Sequence, residues 1–271
     1  MSRETEIDRG YRLQCNEVHV WKISLKSCAI DTSHDILAWD ERQAAGRLRC
    51  AEDRCRLFAR RIARRQILSL YAGQRPQELT FTKNEWGKPR LSGKSATRGI
   101  EFNASSSRDL GVITVSQLPL GVDVEYKDSQ IDFPSVAASV FSAATLRNLR
   151  SVAESEQCSA FYRYWTQLEA LGKALGRGLS LELPQELPVW SKTINPTPIA
   201  VALDSNPHQT WWLHCLDLHD DDYQATLCCN TEKCRLRYFD MRHRFLTAEA
   251  PETQLSIAAE WNWQLKAAQA P

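Results

Sequence analysis

The sequence has no excess of charge of either sign, and this absence limits what the protein binds. Its 271 residues include 34 lysines and arginines against 33 aspartates and glutamates. A balanced chain does not attract nucleic acid or membranes through its overall charge, so electrostatic binding has to come from local patches. We therefore expect neither nucleic acid nor a membrane among its partners.

Long apolar runs are also absent. No stretch approaches the roughly 18 consecutive apolar residues of a membrane-spanning helix. The charged opening, MSRETEIDRGYR, lacks the apolar segment of a secretory signal. These two features predict a soluble, cytoplasmic protein.

The cysteines lack the spacing of a metal site or of a disulfide framework. There are nine of them, an odd number, and they are scattered without a C-x-x-C pair. Cys228 and Cys229 are adjacent, which is a poor arrangement for two ligands of one zinc ion. We therefore expect reduced thiols and no zinc site. A Walker A sequence is absent as well, so nothing supports a P-loop nucleotide site.

The periodicity that is present predicts an α+β fold. Alternating residues predict strands at 17–25, 79–82, 110–115 and 121–125, and a hairpin formed by 211–218 and 223–229. Helical spacing predicts helices at 51–72, 135–152, 159–175 and 253–268. Gly73 and Gly176 end two of these helices. Between the regular elements, a turn is predicted at 84–89 and a Ser-rich loop at 105–107.

The elements repeat weakly in the two halves of the chain. Each half has strand material, a helix and later a hairpin-like pair. This pattern predicts two similar α+β subdomains, residues 1–118 and 119–271, that meet near Gln117–Leu120. The first holds an Arg-rich helix, and the second holds the hairpin and a C-terminal helix.

Two acids share one strand in the motif GVDVE. Asp123 and Glu125 are two residues apart, so their side chains point to the same face of a strand. The two carboxylates repel each other unless a cation lies between them, and Mg²⁺ takes such oxygen ligands together with substrate phosphates. The alternative is the solvent-facing side of an amphipathic strand, because D-x-E alone is a weak motif.

A second charged pair lies on the helix predicted at 159–175. Glu169 and Lys173 are four residues apart and share a face with Trp165. An exposed ion pair is the ordinary interpretation. The rest of this helix is apolar or small, which favours a pair that lines a cleft.

Basic residues are concentrated near residues 42–65, which contain nine arginines. Arginine binds phosphate through two parallel hydrogen bonds, although most of these side chains are expected on a solvated helix face. Lys88, between a glycine and a proline in a tight turn, is another candidate phosphate or nucleotide contact. Nucleic-acid binding by the Arg-rich helix remains an alternative on charge alone.

The order of these motifs is more specific than any one of them. From N to C terminus come the Arg-rich helix, WGKPRL, FNASSS, GVDVE and FYRYWTQLEALGKALGRGL. Over roughly residues 40–229 the sequence resembles the 4′-phosphopantetheinyl transferases of the surfactin-synthetase-activating (Sfp) type. The resemblance implies a pseudo-twofold pair of α+β subdomains with the active site in the cleft between them.

The resemblance also implies the reaction and the partners. Such enzymes move the phosphopantetheine arm of coenzyme A to a serine of an acyl or peptidyl carrier protein and release adenosine 3′,5′-bisphosphate. The pathway stays open between fatty acid, polyketide and nonribosomal peptide synthesis. We expect a monomer, because two subdomains in one chain complete the cleft.

Site residues follow from the resemblance motif by motif. Asp123, Glu125 and Glu169 are implied as Mg²⁺ ligands, with Glu169 also as a candidate general base. Lys173 is implied at the pyrophosphate, and with Asp123 and Glu169 it forms the catalytic set. The remaining implied coenzyme A contacts are Arg56 near the 3′-phosphate, the turn Gly87, Lys88 and Pro89 at the adenine end, and Ser105 and Ser106 in the FNASSS segment.

Two positions depart from the family pattern. Ser106 replaces a histidine of F-N-x-S-H-S, and Leu168 replaces the first lysine of W-x-x-K-E. Each change removes a potential positive charge from the coenzyme A site. The departures support an alternative, a transferase-like protein that binds coenzyme A or a carrier domain without catalysis. An unrelated Mg²⁺-dependent nucleotide enzyme is a third hypothesis and requires the motif order to be accidental.

Overall fold

The structure of the protein is a computed structural model that describes residues 11–26, 34–178, 197–203 and 206–241. The helix predicted at 253–268 lies outside these residues. Within them, no helix combines the length and the apolar character needed to cross a bilayer.

The strands of the described residues form two four-stranded sheets and one two-stranded ribbon. They are β1 (Glu17–Ser24), β2 (Thr80–Lys83), β3 (Pro89–Ser92), β4 (Glu101–Ser107), β5 (Leu110–Ser116), β6 (Leu120–Tyr126), β7 (Ile199–Leu203), β8 (Asn206–Cys215), β9 (Tyr223–Cys229) and β10 (Arg235–Met241). The first sheet has the order β10-β1-β5-β4, the second has the order β6-β9-β8-β7, and β2 pairs with β3. The predicted hairpin is confirmed, because β8 and β9 are antiparallel neighbours.

The α-helices of the described residues cover these sheets. They are α1 (Trp39–Gly46), α2 (Ala51–Ala72), α3 (Phe133–Val140), α4 (Ala143–Ser151) and α5 (Glu154–Leu175). The apolar stripe of α2 packs against β1 and β5 in one core. Gly73 ends the helix as predicted, and it does so in a left-handed conformation. The apolar stripe of α5 packs against β8 and β9 in another core. The predicted α+β class is confirmed.

Two local predictions were wrong. Residues 105–107 are not a loop but the end of β4, because Ser107 pairs with Leu110 across a two-residue hairpin turn. The single helix predicted at 135–152 is two helices. The break falls at Ser142, whose side chain accepts a hydrogen bond from the amide of Thr145 and thereby starts α4.

The last described strand returns to the first sheet. β10 lies parallel to β1, and Arg235 Nη2 is 2.8 Å from Oε1 of the fully buried Glu17. The division at residues 118/119 stays a prediction, and β10 is an element from beyond it that pairs with the N-terminal sheet.

The edge strands of the two sheets lie next to each other. Asn103 Oδ1 of β4 accepts a hydrogen bond from the backbone amide of Val122 in β6 at 2.9 Å. Behind β6, helix α5 comes so close that a Cβ atom on Gly121 would lie 2.2 Å from the carbonyl oxygen of Ala170. These contacts place the polar side chains of β4, β6 and α5 around one point.

Candidate active site between strands β4 and β6

A row of short polar side chains on β4 holds the two acids of β6. Asn103, Ser105 and Ser107 alternate along the strand and therefore share one face. Ser105 Oγ donates to Asp123 Oδ1 at 2.8 Å, and Ser107 Oγ donates to Glu125 Oε2 at 2.7 Å. The two carboxylates predicted to share a strand face are thus fixed on the side that faces β4.

Asp123 is the most buried of the predicted acids, with 2% of its surface exposed. Lys173 Nζ lies 2.6 Å from Asp123 Oδ1 and 3.1 Å from Ser105 Oγ. Burial raises the pKa of Asp123 although the ammonium group of Lys173 acts in the opposite direction. The helix α5 therefore supplies the cation that partly balances the buried carboxylate of β6.

The other two acids are also disfavoured as anions. Burial raises the pKa of Glu125, and the neighbouring charge of Asp123 raises it further. Burial raises the pKa of Glu169 as well, and Asp123 adds to that increase while Lys173 opposes it. Three carboxylates around a single lysine leave an excess of negative charge at this point of the fold.

The residues fit a hard divalent cation. Asp123 Oδ2 is buried and has no hydrogen-bond partner among the described residues, so it is available to a ligand. Carboxylate oxygens are the donors that Mg²⁺ prefers. In the described part of the chain, the oxygens of Asp123, Glu125 and Glu169 do not all lie within 4.8 Å of one another. Lys173 instead bridges Asp123 and Ser105.

The predicted turn around Gly87 is held by hydrogen bonds to the end of α5 and to the start of β6. Asn84 Oδ1 accepts from the amide of Lys88 at 2.8 Å, and Asn84 Nδ2 donates to the carbonyl of Gly176 at 2.7 Å. Lys88 Nζ donates to the carbonyl of Leu120 at 2.9 Å, and burial lowers its pKa to about 8. The adenine contacts of Gly87, Lys88 and Pro89 remain a prediction.

The structure places an arginine beside the serine that departs from the family pattern. Arg60 Nη1 of α2 donates to Ser106 Oγ at 2.8 Å. A cation therefore lies next to the position where the family has a histidine. Arg56, one turn earlier, is 3.0 Å from Asp109 in the hairpin turn after β4, and its predicted place at the 3′-phosphate stays a prediction.

Leu168, the second position that departs from the family pattern, lies in the protein core. Leu168 is 6% exposed and belongs to an apolar cluster that includes Phe141 and Phe161. Its side chain stabilises the contact of α5 with α3 and α4. Leucine at this position therefore contributes packing where the family lysine would bring a charge.

The comparison with known proteins assigns the family. The model of the 4′-phosphopantetheinyl transferase superfamily matches residues 119–228. The chain is 34% identical over 171 residues to the 4′-phosphopantetheinyl transferase HetI of Nostoc sp., covering 62% of this chain and 72% of HetI. The chain belongs to the 4′-phosphopantetheinyl transferase superfamily. It is therefore an enzyme of the transferase class, and the resemblance predicted from its motifs is confirmed.

Two further relatives match over shorter segments of the chain. The chain is 27% identical over 144 residues to the 4′-phosphopantetheinyl transferase Sfp of Bacillus subtilis, covering 53% of this chain and 62% of Sfp. It is 34% identical over 107 residues to the transferase gsp of Aneurinibacillus migulanus, covering 40% of this chain and 42% of gsp. The chain thus spans less than two thirds of both of these phosphopantetheinyl transferases.

Three residues of this candidate site were not predicted from the sequence. Ser107 was missed because 105–107 was interpreted as a loop, and Asn103 was missed because its partner, the amide of Val122, lies on a strand of the other sheet. The alternation of polar residues at 103, 105 and 107 is the signal that would have found them. Arg60 was missed because nothing in the sequence distinguishes it from the other arginines of α2.

Proposed function

We propose that the chain transfers the 4′-phosphopantetheine arm of coenzyme A to a serine hydroxyl of an acyl or peptidyl carrier protein in an Mg²⁺-dependent reaction. Adenosine 3′,5′-bisphosphate is the second product. The observation that carries the proposal is the arrangement of Asp123 and Glu125, which are held by Ser105 and Ser107 next to Lys173.

The three acids and Lys173 have different roles at the diphosphate of coenzyme A. Asp123, Glu125 and Glu169 would hold Mg²⁺, which supplies charge neutralisation at the diphosphate when it is bound. Lys173, whose Nζ is 2.6 Å from Asp123 Oδ1, adds a positive charge. Ser105 and Ser107 keep the carboxylates in fixed rotamers, so little reorganisation is needed when the substrate binds.

The transfer step forms one P–O bond and breaks another. The serine oxygen of the carrier attacks the phosphorus that bears the pantetheine arm, and the bond from this phosphorus to the bridging oxygen breaks. Glu169 accepts the proton of the serine hydroxyl, directly or through a water molecule. Its raised pKa suits a general base, because a weakly basic carboxylate would hold the proton poorly. Positioning and electrostatics supply most of the acceleration, as in phosphoryl transfer generally.

Binding of the nucleotide end involves the first half of the chain. We place the 3′-phosphate near Arg56 and Arg60 and the adenine near the turn Gly87–Pro89. Trp86 in this turn is 57% exposed and offers an indole face for stacking. The cation of Arg60 at Ser106 compensates for the absent histidine.

The architecture is included in the proposal. We propose that the two sheets with their long helices α2 and α5 are related by a pseudo-twofold axis, and that a monomer working in the cytoplasm contains the whole site. The eight described cysteines are all free, which supports a reducing compartment.

The alternative, a protein that binds coenzyme A or a carrier domain without catalysis, rests on Ser106 and Leu168. Arg60 restores a cation at the first position, and Leu168 lies in an apolar cluster rather than beside a phosphate site. Both observations favour the active enzyme.

Intact-mass spectrometry of carrier domains tests the proposal. An apo acyl carrier protein and an apo peptidyl carrier domain are each incubated with the protein, coenzyme A and Mg²⁺. We expect a mass gain of one phosphopantetheine arm on at least one carrier, and no gain when Mg²⁺ is omitted. Coenzyme A binding in calorimetry without any mass gain on either carrier would support the non-catalytic alternative.

A further inference from the structure

A cluster of metal-ligating side chains lies away from the candidate active site. His214 is on β8, Cys229 is the last residue of β9, and Cys234 directly precedes β10. The segment between the two cysteines carries the chain from the second sheet to the first. The cluster therefore lies where the two sheets are connected.

The three side chains converge within a small space. His214 Nε2 is 3.5 Å from Cys229 Sγ and 3.5 Å from Cys234 Sγ. One ligand atom from each of the three residues lies within 4.8 Å of the others. His214 is 6% exposed and Cys229 is fully buried, so packing holds both side chains in place.

These distances match the edges of a tetrahedral zinc site. Zn–S bonds of about 2.3 Å and Zn–N bonds of about 2.0 Å at the tetrahedral angle place sulfur and nitrogen ligands about 3.5 Å apart. A hydrogen-bonded thiol and imidazole can have a similar separation, but here one nitrogen has this separation from two sulfurs at once.

We propose that His214, Cys229 and Cys234 bind a structural Zn²⁺ ion. Two thiolates and an imidazole are soft and borderline donors, which favour zinc over the Mg²⁺ expected at the carboxylates. The carbonyl oxygen of Thr231 lies 3.3 Å from Cys229 Sγ and 3.4 Å from His214 Nε2. This oxygen, or a water in its place, completes four ligands. Cys234 is half-buried and gives the ion a path from solvent.

The cysteine spacing in the sequence predicted no zinc site, and the structure explains why the cluster was not found. Cys229 and Cys234 have four residues between them, at the upper end of the usual spacing of a zinc ligand pair. The third ligand precedes Cys229 by 15 residues and belongs to a neighbouring strand. Only the pairing of β8 with β9 brings it to the cysteines.

The zinc ion would tie the crossing segment to the second sheet and so fix the start of β10. This role does not depend on the transferase reaction. The absence of zinc would therefore overturn this proposal even if phosphopantetheine transfer is observed. The absence of transfer would leave the zinc proposal untouched if zinc is found.

Metal analysis and a cobalt titration test the proposal on the full chain, freed of any histidine tag. We expect about one zinc per chain after purification without chelators. Co²⁺ added to the metal-free protein should give a thiolate-to-cobalt charge-transfer band and the visible bands of tetrahedral cobalt, and Zn²⁺ should displace both. No zinc in the purified protein together with no charge-transfer band would overturn the proposal.

Single cysteine variants locate the site. Cys234→Ser should lower the Zn²⁺ affinity by more than about 100-fold, because removing a ligand exceeds the effect of removing its outer hydrogen-bond partner. Cys215→Ser is the matched control, since Cys215 adjoins His214 on β8 but is not part of the cluster, and it should bind zinc like the parent protein. Equal zinc loss in both variants, or a disulfide between Cys229 and Cys234 detected by mass spectrometry, would contradict the assignment.

Discussion

At the scale of single residues, Asp123, Glu125 and Glu169 are acids held in an environment that disfavours their charged form. All three have a raised pKa, and burial is the main cause in each case. The folded protein therefore keeps protons on these groups at pH values where the unfolded chain, with carboxyl pKa values of about 4, has released them. Their contribution to the free energy of unfolding consequently falls as the pH rises through the raised pKa values.

The first prediction concerns Mg²⁺ and pH. A divalent cation between the ionised carboxylates offsets their repulsion, so Mg²⁺ should raise the melting temperature, and more at pH 7.5 than at pH 5. Protonated acids do not bind the cation, so the effect should be weaker at the lower pH. Scanning fluorimetry with and without Mg²⁺ measures this difference.

Glu125→Gln is the matched variant for this measurement. It removes one charge while keeping a group that can accept the hydrogen bond of Ser107. We expect a melting temperature without Mg²⁺ at least equal to that of the parent protein, and no increase on adding Mg²⁺. An equal Mg²⁺ effect in the parent and in the variant would exclude Glu125 as a ligand.

A second residue-scale prediction concerns Arg60. Arg60→Ala should raise the KM for coenzyme A about 10-fold or more with little change in kcat, because a hydrogen bond to a charged group contributes about 1.5–3 kcal/mol. The increase should disappear with 3′-dephospho-coenzyme A, which lacks the phosphate that Arg60 is proposed to bind. Arg49→Ala, an exposed arginine outside the site, is the control. An equal KM increase with both substrates would contradict the contact.

At the scale of elements, the site depends on the close contact of β6 with α5. A Cβ atom at Gly121 would lie 2.2 Å from the carbonyl oxygen of Ala170 and 2.3 Å from the amide nitrogen of Ala174. Both neighbours are backbone atoms of the helix and cannot rotate away. The absence of a side chain at Gly121 therefore sets the distance at which Lys173 reaches Asp123.

Gly121→Ala should push β6 and α5 apart. We expect a loss of about 3 kcal/mol in the free energy of unfolding, at the upper end of the usual cost of overpacking, together with a loss of transfer activity. Denaturant unfolding measures the first effect. Gly46→Ala is the control, because no atom lies within 4 Å of its added Cβ, and it should be neutral or slightly stabilising. Parent-like stability in Gly121→Ala would disprove the close packing.

At the scale of the whole molecule, the sequence predicted features that depend on residues close together in the chain, but not contacts between distant segments. The GVDVE strand, the end of α2 at Gly73 and the Glu169–Lys173 face could be predicted because each depends on residues within one element. The contact of Arg60 with Ser106, 46 residues apart, could not, since it requires α2 to pack on the first sheet. The parallel pairing of β10 with β1 and the cluster at His214 likewise depend on strand neighbours that no local pattern specifies.

The proposed site draws on both halves of the described chain. Its acids and its base come from β6 and α5, and its nucleotide contacts come from α2 and the turn at Gly87. The decisive measurement is single-turnover transfer to an apo carrier domain by Glu169→Gln, followed by intact-mass spectrometry. We expect a rate at least about 100-fold below that of the parent protein, because this is the usual contribution of a general base. Glu154→Gln, an exposed acid at the start of the same helix, should retain the parent rate. Parent-like transfer by Glu169→Gln would contradict the proposed role of the acids at this site.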